Sequence, residues 1–236
     1  RTYLPYDEDD AREVIRQTVY LAQQRNPAME STVYRFVQRV ILGETRNDLR
    51  KTQRAWTGRF QQYTAPVAAK GVEDTAFYRY GLLLALNEVG GEPGEFGVSL
   101  QAFHSHARFR ATRYPCNLLA TATHDHKRGE DTRMRMLILS EVPDEWEATV
   151  TLLGDIATNY STDRAPSYHD QYVFFQMLSA LWHDADRNEL PQRLHDYMLK
   201  ASRESKLRTS WINQDEEYEE ALQRFVIGML TDSRTQ

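Results

Sequence analysis

Hydrophobic spacing constrains this chain most, because nearly every apolar run repeats with the period of an α-helix. Residues three and four positions apart lie on one helix face, so such a repeat marks a helix with one buried side. We therefore predict a mainly α chain, with helices over most of its 236 residues. The clearest apolar stripe is formed by Tyr218, Ala221, Leu222, Phe225, Val226, Met229 and Leu230.

The same spacing predicts the other helices, and short polar or glycine-rich stretches separate them. Residues 74–87 are apolar on most sides, so we expect a buried helix there. Asn213, with Glu216 three positions later, predicts the N-cap of the last helix. The remaining helical patterns cover residues 11–19, 33–41, 45–69, 99–110, 130–139, 144–159, 167–182 and 191–205.

Strand signals are rare, and we expect one to three short strands in all. The opening residues 2–4 and the apolar run 117–123, which follows Pro115, are compatible with β-structure. A buried strand that ends in polar residues is the geometry of α/β-barrel active sites. One or two strands cannot close a barrel, so this chain cannot form one by itself.

Composition and charge exclude several classes of protein. The chain is 41% hydrophobic and 27% charged, as ordinary globular proteins are, and its formal net charge of −5 argues against nucleic acid as a partner. No apolar run is long enough to span a membrane, and residues 1–5 do not resemble a signal peptide but the middle of a longer chain. A single cysteine, Cys116, indicates a reducing, cytoplasmic location.

Three polar clusters are the candidate sites: Lys70–Tyr80, Thr123–Asp131 and Lys206–Asn213. Each has an ordinary structural interpretation, as a helix start, a capping loop and a helix connection. The second cluster is the best site candidate, because His, Asp, Lys and Arg side chains follow an apolar strand directly.

A metal site is the first alternative for the second cluster. His124, Asp125 and His126, with His104 and His106 upstream, offer imidazole and carboxylate ligands. On a strand, however, alternate side chains point to opposite faces, and the helical i, i+4 histidine pair of zinc enzymes is absent. Two cationic residues also follow immediately. We therefore expect neither a metal nor another cofactor.

The sequences of three segments, residues 70–80, 122–133 and 208–213, together resemble those of maltooligosyltrehalose synthases. These enzymes belong to glycoside hydrolase family 13, the α-amylase superfamily of (β/α)8 barrels. The similarity extends over essentially the whole chain. It implies an internal fragment of a barrel enzyme, with an inserted helical region at 1–110 that begins with a strand at 1–5. A barrel strand at 117–123, the catalytic loop and a further helical region would occupy 111–236.

The resemblance also implies a function in trehalose biosynthesis. The family enzyme, (1→4)-α-D-glucan 1-α-D-glucosylmutase, is an isomerase that turns the reducing-end α-1,4 bond of a maltodextrin into an α,α-1,1 bond. The implied partners are a maltooligosaccharide substrate and the rest of the parent chain. The family's nucleophile and acid/base would precede residue 1, so the fragment alone should be inactive.

Site residues follow from the same resemblance. Asp125 would be the third, transition-state-stabilising carboxylate of the family, and His124 would bind a sugar hydroxyl. His126 stands where a small hydroxyl residue is expected. The implied residues that bind the substrate are Lys70, Glu73, Lys127 and Arg128, of which the first three would hold the reducing-end glucose.

Three other functions remain open. A hydrolytic α-amylase-type enzyme would share Asp125 but would not need the element at 70–74. A helical interaction module without catalysis would show an exposed apolar stripe and no pocket joining the first two clusters. A metal-dependent hydrolase would need bound metal.

Overall fold

The computed structural model describes residues 9–44, 46–123, 125–182 and 186–235. All regular secondary structure within these ranges is helical, which confirms the mainly α prediction. The α-helices are α1 (Asp9–Arg25), α2 (Ser31–Ile41), α3 (Arg50–Gly71), α4 (Phe77–Arg79), α5 (Leu100–Arg113), α6 (Glu130–Ile138), α7 (Pro143–Ala157), α8 (Tyr168–Leu181), α9 (Leu190–Ser205) and α10 (Glu216–Thr231). Two 3-10 turns (Asn47–Leu49, Leu84–Leu86) and a π-helical turn (Val72–Ala76) complete the set.

The chain forms two compact units, Arg1–Lys70 and Gly71–Gln236. The boundary that we expected near residue 110 concerns the parent barrel and stays a prediction.

In the first unit, the end of α2 packs on α3. Gly43 ends the α2 segment with φ 78°, a left-handed conformation that glycine adopts without strain. The Val40 carbonyl, at the C-terminal end of α2, accepts hydrogen bonds from Gln53 Nε2 at 2.6 Å and Thr57 Oγ1 at 3.3 Å. Polar side chains of α3 thus bond a carbonyl of the last turn of α2 whose backbone partner is the Gly43 N–H at 3.3 Å. An apolar groove of about 490 Å³ also lies in this unit, lined in part by Val33 and Val37.

The second unit is built around α8, which is buried along most of its length and contacts α6, α7 and α9. Phe174 of α8 meets Phe225 of α10 edge to face, with ring centroids 5.1 Å apart, and neither side chain is exposed. The predicted stripe of α10 is confirmed, since six of its seven residues are buried and Leu230 packs against the core. Burial of this apolar surface is the main stabilising contribution to the unit.

Side chains at the helix starts fix several element boundaries. Ser99 and Ser167 accept hydrogen bonds from Ala102 N and Asp170 N, both at 3.2 Å, and so begin α5 and α8. The cap predicted for the last helix is wrong by two residues, because Asp215 accepts the bond from Tyr218 N at 3.1 Å.

The buried helix predicted over residues 74–87 is wrong beyond Arg79, where α4 ends. Gln176, which is fully buried, accepts a hydrogen bond from Leu84 N at 2.9 Å and donates one to the Gly81 carbonyl at 2.8 Å. A distant side chain therefore satisfies backbone groups that would otherwise need helical partners.

The strand predicted over residues 117–123 is not formed. Leu118 is 94% exposed and Leu119 73% exposed, and no residue in the described ranges pairs with them as a strand. A strand needs a neighbouring strand for its backbone hydrogen bonds, and without one the segment stays irregular. The strand predicted at 1–5 lies outside the described residues.

Candidate functional site

The turn that carries Asp125 is closed by His126. His126 Nδ1 accepts a hydrogen bond from the Thr123 backbone N–H at 2.9 Å, and the His126 backbone N–H donates to the Thr123 carbonyl at 3.2 Å. These bonds give the unexpected histidine a structural role in the turn. Asp125 itself is exposed. His124 lies outside the described residues, so its contact with a sugar stays a prediction.

Lys127 joins the second polar cluster to the first. Its ammonium lies 2.6 Å from Asp74 Oδ1, and the lysine side chain is only 11% exposed. The same nitrogen is 5.8 Å from the centroid of the Tyr78 ring, within the range of a cation–π contact. Solvent and salt screen such a pair far less than a surface pair. Lys127 is therefore an internal cation beside the loop of Asp125.

Arg128 anchors the end of the same turn. Its guanidinium is buried, donates hydrogen bonds to the carbonyls of Leu84 at 3.2 Å and Asn87 at 3.5 Å, and bonds the Tyr197 hydroxyl. The guanidinium carbon also lies 5.4 Å from the centroid of the Tyr197 ring. These contacts hold the turn in place. Whether Arg128 also touches substrate stays a prediction.

Glu88 belongs to the site but was missed by the sequence reasoning. Its side chain is 7% exposed, and Oε1 accepts the Lys127 backbone N–H at 2.6 Å. The signal in the sequence is a carboxylate between the apolar run 82–86 and Gly90. A carboxylate in such a place needs a partner, although the sequence does not reveal which one.

Two tyrosines lie beside the cations of this loop: the Tyr78 ring is near the Lys127 ammonium, and the Tyr197 ring is near the Arg128 guanidinium. Burial raises the pKa of Tyr78 above its usual value, and Tyr197 adds to the rise while Arg128 opposes it. The Tyr78 hydroxyl is therefore uncharged at neutral pH, and the ammonium of Lys127 faces a neutral ring.

The π-helical turn Val72–Ala76 contains Glu73, which is half-buried. The same turn contacts the third polar cluster, Lys206–Asn213. Lys206, whose left-handed φ of 55° ends α9, donates from Nζ to Thr75 Oγ1 at 3.2 Å. Turns of this type are frequent at functional sites. Residues of all three clusters thus meet in the second unit.

The predicted site residues are only partly brought together. Asp125, Lys127 and Arg128 share one turn, and Glu73 adjoins Asp74, the partner of Lys127. Lys70 is exposed in the last turn of α3, in the first unit, and its contact with a sugar stays a prediction.

No metal cluster or membrane helix is found in the part of the chain that the structure describes. There, no three His, Cys, Asp or Glu side chains are grouped so that they could hold a metal ion. His104 and His106 lie exposed on α5. None of the described helices combines the length and apolar character that crossing a membrane requires.

Comparison with known proteins identifies relatives by sequence and by fold, although no protein-family model matches the chain. A Mycobacterium tuberculosis protein assigned as a maltooligosyl trehalose synthase is 40% identical over 164 residues, which are 69% of this chain and 21% of that protein. The maltooligosyltrehalose synthase of Arthrobacter ramosus is 34% identical with a TM-score of 0.79, and the match covers all of this chain and 28% of that one.

A third relative, a hypothetical maltooligosyl trehalose synthase of Sulfolobus tokodaii, is 30% identical with a TM-score of 0.69 over all of this chain and 29% of its own. The chain therefore spans between a fifth and a third of the length of these relatives. The family that these matches name is the one that the motifs at 70–80, 122–133 and 208–213 resemble. By sequence and by fold, this chain corresponds to one segment of the maltooligosyltrehalose synthases.

Proposed function

We propose that this chain is the part of a maltooligosyltrehalose synthase that supplies one active-site carboxylate, Asp125, and part of the subsite for the reducing-end glucose. One observation carries the proposal. The partly buried ion pair between Lys127 and Asp74 ties the loop of Asp125 to the segment that most resembles the family. The two motifs thus lie side by side, as a site for one shared substrate would require.

The proposed chemistry is retaining transglycosylation. In such enzymes a nucleophile and an acid/base carboxyl group about 5–5.5 Å apart form and resolve a glycosyl-enzyme intermediate. By the resemblance, both groups would lie outside this chain. Asp125 would act on the charge of the oxocarbenium-like transition state, where a fixed carboxylate contributes electrostatically. An exposed position on a hydrogen-bonded turn suits that task.

Isomerisation also requires that the released glucose stays bound and attacks the intermediate before water does. The acid/base carboxyl protonates the departing glucose oxygen as the α-1,4 bond breaks and the nucleophile forms its glycosyl ester. The resulting carboxylate then takes the proton of the glucose anomeric hydroxyl as that oxygen displaces the ester and forms the α,α-1,1 bond. Charged groups that hold glucose and exclude water favour this outcome. Glu73, Lys127 and Lys70 are the proposed groups, and the first two lie on adjoining parts of one unit.

The exposed segment 117–123 also supports the proposal. Leu118 and Leu119 are apolar, yet 94% and 73% exposed. A barrel strand without its neighbouring strands has this character, because both faces of such a strand are normally buried. In the complete enzyme we expect this segment to pair within the barrel.

A helical interaction module is the second candidate, and the apolar groove in the first unit is the observation that favours it. That function does not require the polar clusters to meet. The contacts of Lys127 with Asp74 and of Lys206 with Thr75 join them. Catalysis therefore accounts for more of the structure.

The test uses the complete protein that contains this chain, incubated with maltopentaose. We expect a trehalose-linked product of unchanged length, and none from the 236-residue chain alone, since Asp125 by itself cannot form the covalent intermediate. Cleavage to glucose without any trehalose link would instead favour the hydrolytic enzyme. Product from the isolated chain would contradict the fragment proposal.

A further inference from the structure

Glu88 combines deep burial with a single short contact to the active-site loop. Its Oε1 accepts the Lys127 backbone N–H at 2.6 Å and the Val89 N–H at 3.3 Å. Its other oxygen, Oε2, is buried and has no hydrogen-bond partner among the described residues. Burying a half-satisfied carboxylate costs stability. The bond to Lys127 is the contact that offsets this cost.

The bond acts on the backbone, two residues after Asp125. On the Asp125 side, the turn is closed by the bonds between His126 and Thr123. On the far side, Arg128 is held by the carbonyls of Leu84 and Asn87. Lys127 lies between these anchors, and its N–H is held by the short bond to Glu88 Oε1.

Glu88 is itself held in place by its neighbour. The Asn87 side-chain amide donates to the Phe77 carbonyl at 2.8 Å and also to the Tyr80 carbonyl. The end of α4 thereby fixes the position from which Glu88 reaches the loop.

We propose that Glu88 is a positioning residue for the reaction: through the Lys127 N–H it fixes the turn that aims the Asp125 carboxylate at the substrate. The expected effect on kcat rests on the proposed function, whereas the expected effect on the position of the Lys127 amide does not. Reactive groups must be held closely, and a displacement of about 1 Å can cost about a hundredfold in rate. Glu88 touches no reacting atom, so its effect is transmitted by the backbone.

Two variants of the complete protein separate this role from general stability. Glu88→Ala removes the acceptor, whereas Glu88→Gln keeps an oxygen at the same place without the charge. We expect Glu88→Ala to lower kcat on maltopentaose by about tenfold to a hundredfold, with little change in KM. Glu88→Gln should restore most of the lost rate.

Hydrogen exchange tests the geometry without any use of activity. In peptides that cover residues 125–128, the Lys127 amide should exchange about tenfold faster or more in Glu88→Ala, the equivalent of losing a charged hydrogen bond. In Glu88→Gln it should stay protected. Unchanged protection in Glu88→Ala would overturn the proposal, whether or not the protein is a synthase.

Ile156→Val is the matched control, because Ile156 is fully buried on α7, which contacts α8 and α10 rather than the segment that holds the loop. It should lower the melting temperature but leave kcat and the Lys127 amide near wild type. Equal losses of kcat in Ile156→Val and Glu88→Ala would show that Glu88 acts only through overall stability. If wild type makes no trehalose link while the amide responds as expected, the proposed function fails and the anchoring role stands.

Discussion

The Lys127 ammonium lies 2.6 Å from the Asp74 carboxylate, although 53 positions separate the two residues in the chain. The lysine is 11% exposed and the aspartate 35% exposed, so the pair is partly removed from water. Removing one partner of such a pair leaves the other charge without compensation, and the loss is larger than at the surface.

We first predict the coupling energy of this pair. A double-mutant cycle with Lys127→Met and Asp74→Asn should give a coupling of about 1–3 kcal/mol in unfolding free energy. The exposed pair Arg224–Glu220, at 3.7 Å, is the control and should couple by less than about 0.5 kcal/mol. Equal coupling in the two cycles would contradict the internal character of the Lys127 pair.

The second prediction concerns Asp125. In the complete protein Asp125→Asn should lower kcat by at least about a hundredfold, since the loss of a transition-state charge contact is worth about 3 kcal/mol or more. Thermal stability should change little, because Asp125 is exposed. Asp131→Asn, at an exposed carboxylate in the first turn of α6, is the control and should keep wild-type turnover. A kcat near that of wild type in Asp125→Asn would show that Asp125 is not a catalytic residue.

Local spacing was sufficient to predict the long helices. The stripe of α10 predicts its burial because side chains three and four positions apart share a face. The end of α4 could not be predicted in this way. It depends on Gln176, 92 positions from the Leu84 amide that it bonds, and no local pattern contains that contact.

The site shows the same division. The density of polar residues in the cluster Thr123–Asp131 was enough to predict Asp125 and Lys127 as site candidates, and the resemblance implied their roles. The partners Asp74 and Glu88 became visible only in the fold, since they lie 53 and 39 positions from Lys127. The strand predicted at 117–123 is wrong for another reason: the apolar run is present, but a strand needs a neighbouring strand to pair with, and the described residues offer none.

The third prediction compares two helix-interior glycines. A Cβ at Gly228 of α10 would lie 2.2 Å from Tyr160 Cδ1, whereas one at Gly154 of α7 would meet nothing within 4 Å. Gly228→Ala should therefore destabilise the protein by about 1–3 kcal/mol through overpacking. Gly154→Ala should stabilise it by about 0.5–1 kcal/mol, because alanine favours a helix interior. Denaturant unfolding measures both, and a stabilising Gly228→Ala would contradict the packing.

The fourth prediction concerns alkaline pH. Burial, together with the nearby Asp170 carboxylate, raises the pKa of Tyr218 to about 12, against about 10 in an unfolded chain. The folded state therefore holds the phenolic proton more tightly. The resulting stabilisation is complete below pH about 10 and is lost as the pH rises through about 12. Unfolding free energy should fall over this range.

Tyr218→Phe isolates that contribution. The variant should show a smaller fall in unfolding free energy between pH about 10 and 12 than wild type, because its ring carries no proton to lose. Tyr168→Phe, at a tyrosine that is 89% exposed, should retain the full wild-type slope. Identical slopes for wild type and Tyr218→Phe would show that Tyr218 does not cause the alkaline loss.

The last prediction separates transfer to glucose from transfer to water. If Glu73 and Lys127 hold the departing glucose, weakening them should change what attacks the intermediate before it changes how the intermediate forms. Glu73→Gln or Lys127→Ala in the complete protein should still cleave maltopentaose but release more free glucose per trehalose link. Lys200→Ala, at an exposed lysine of α9, should leave the ratio unchanged.

The competing explanation is structural, since Lys127 is paired with Asp74 and Glu73 lies in a π-helical turn that also bonds Lys206. On that explanation both variants would have lower melting temperatures than wild type, while the ratio of glucose to trehalose-linked product would stay constant. Measuring both products and the melting temperature on the same samples decides between the two, because a loss of packing lowers all turnover whereas a loss of glucose retention redirects it. A constant ratio in both variants would reject glucose retention by these residues.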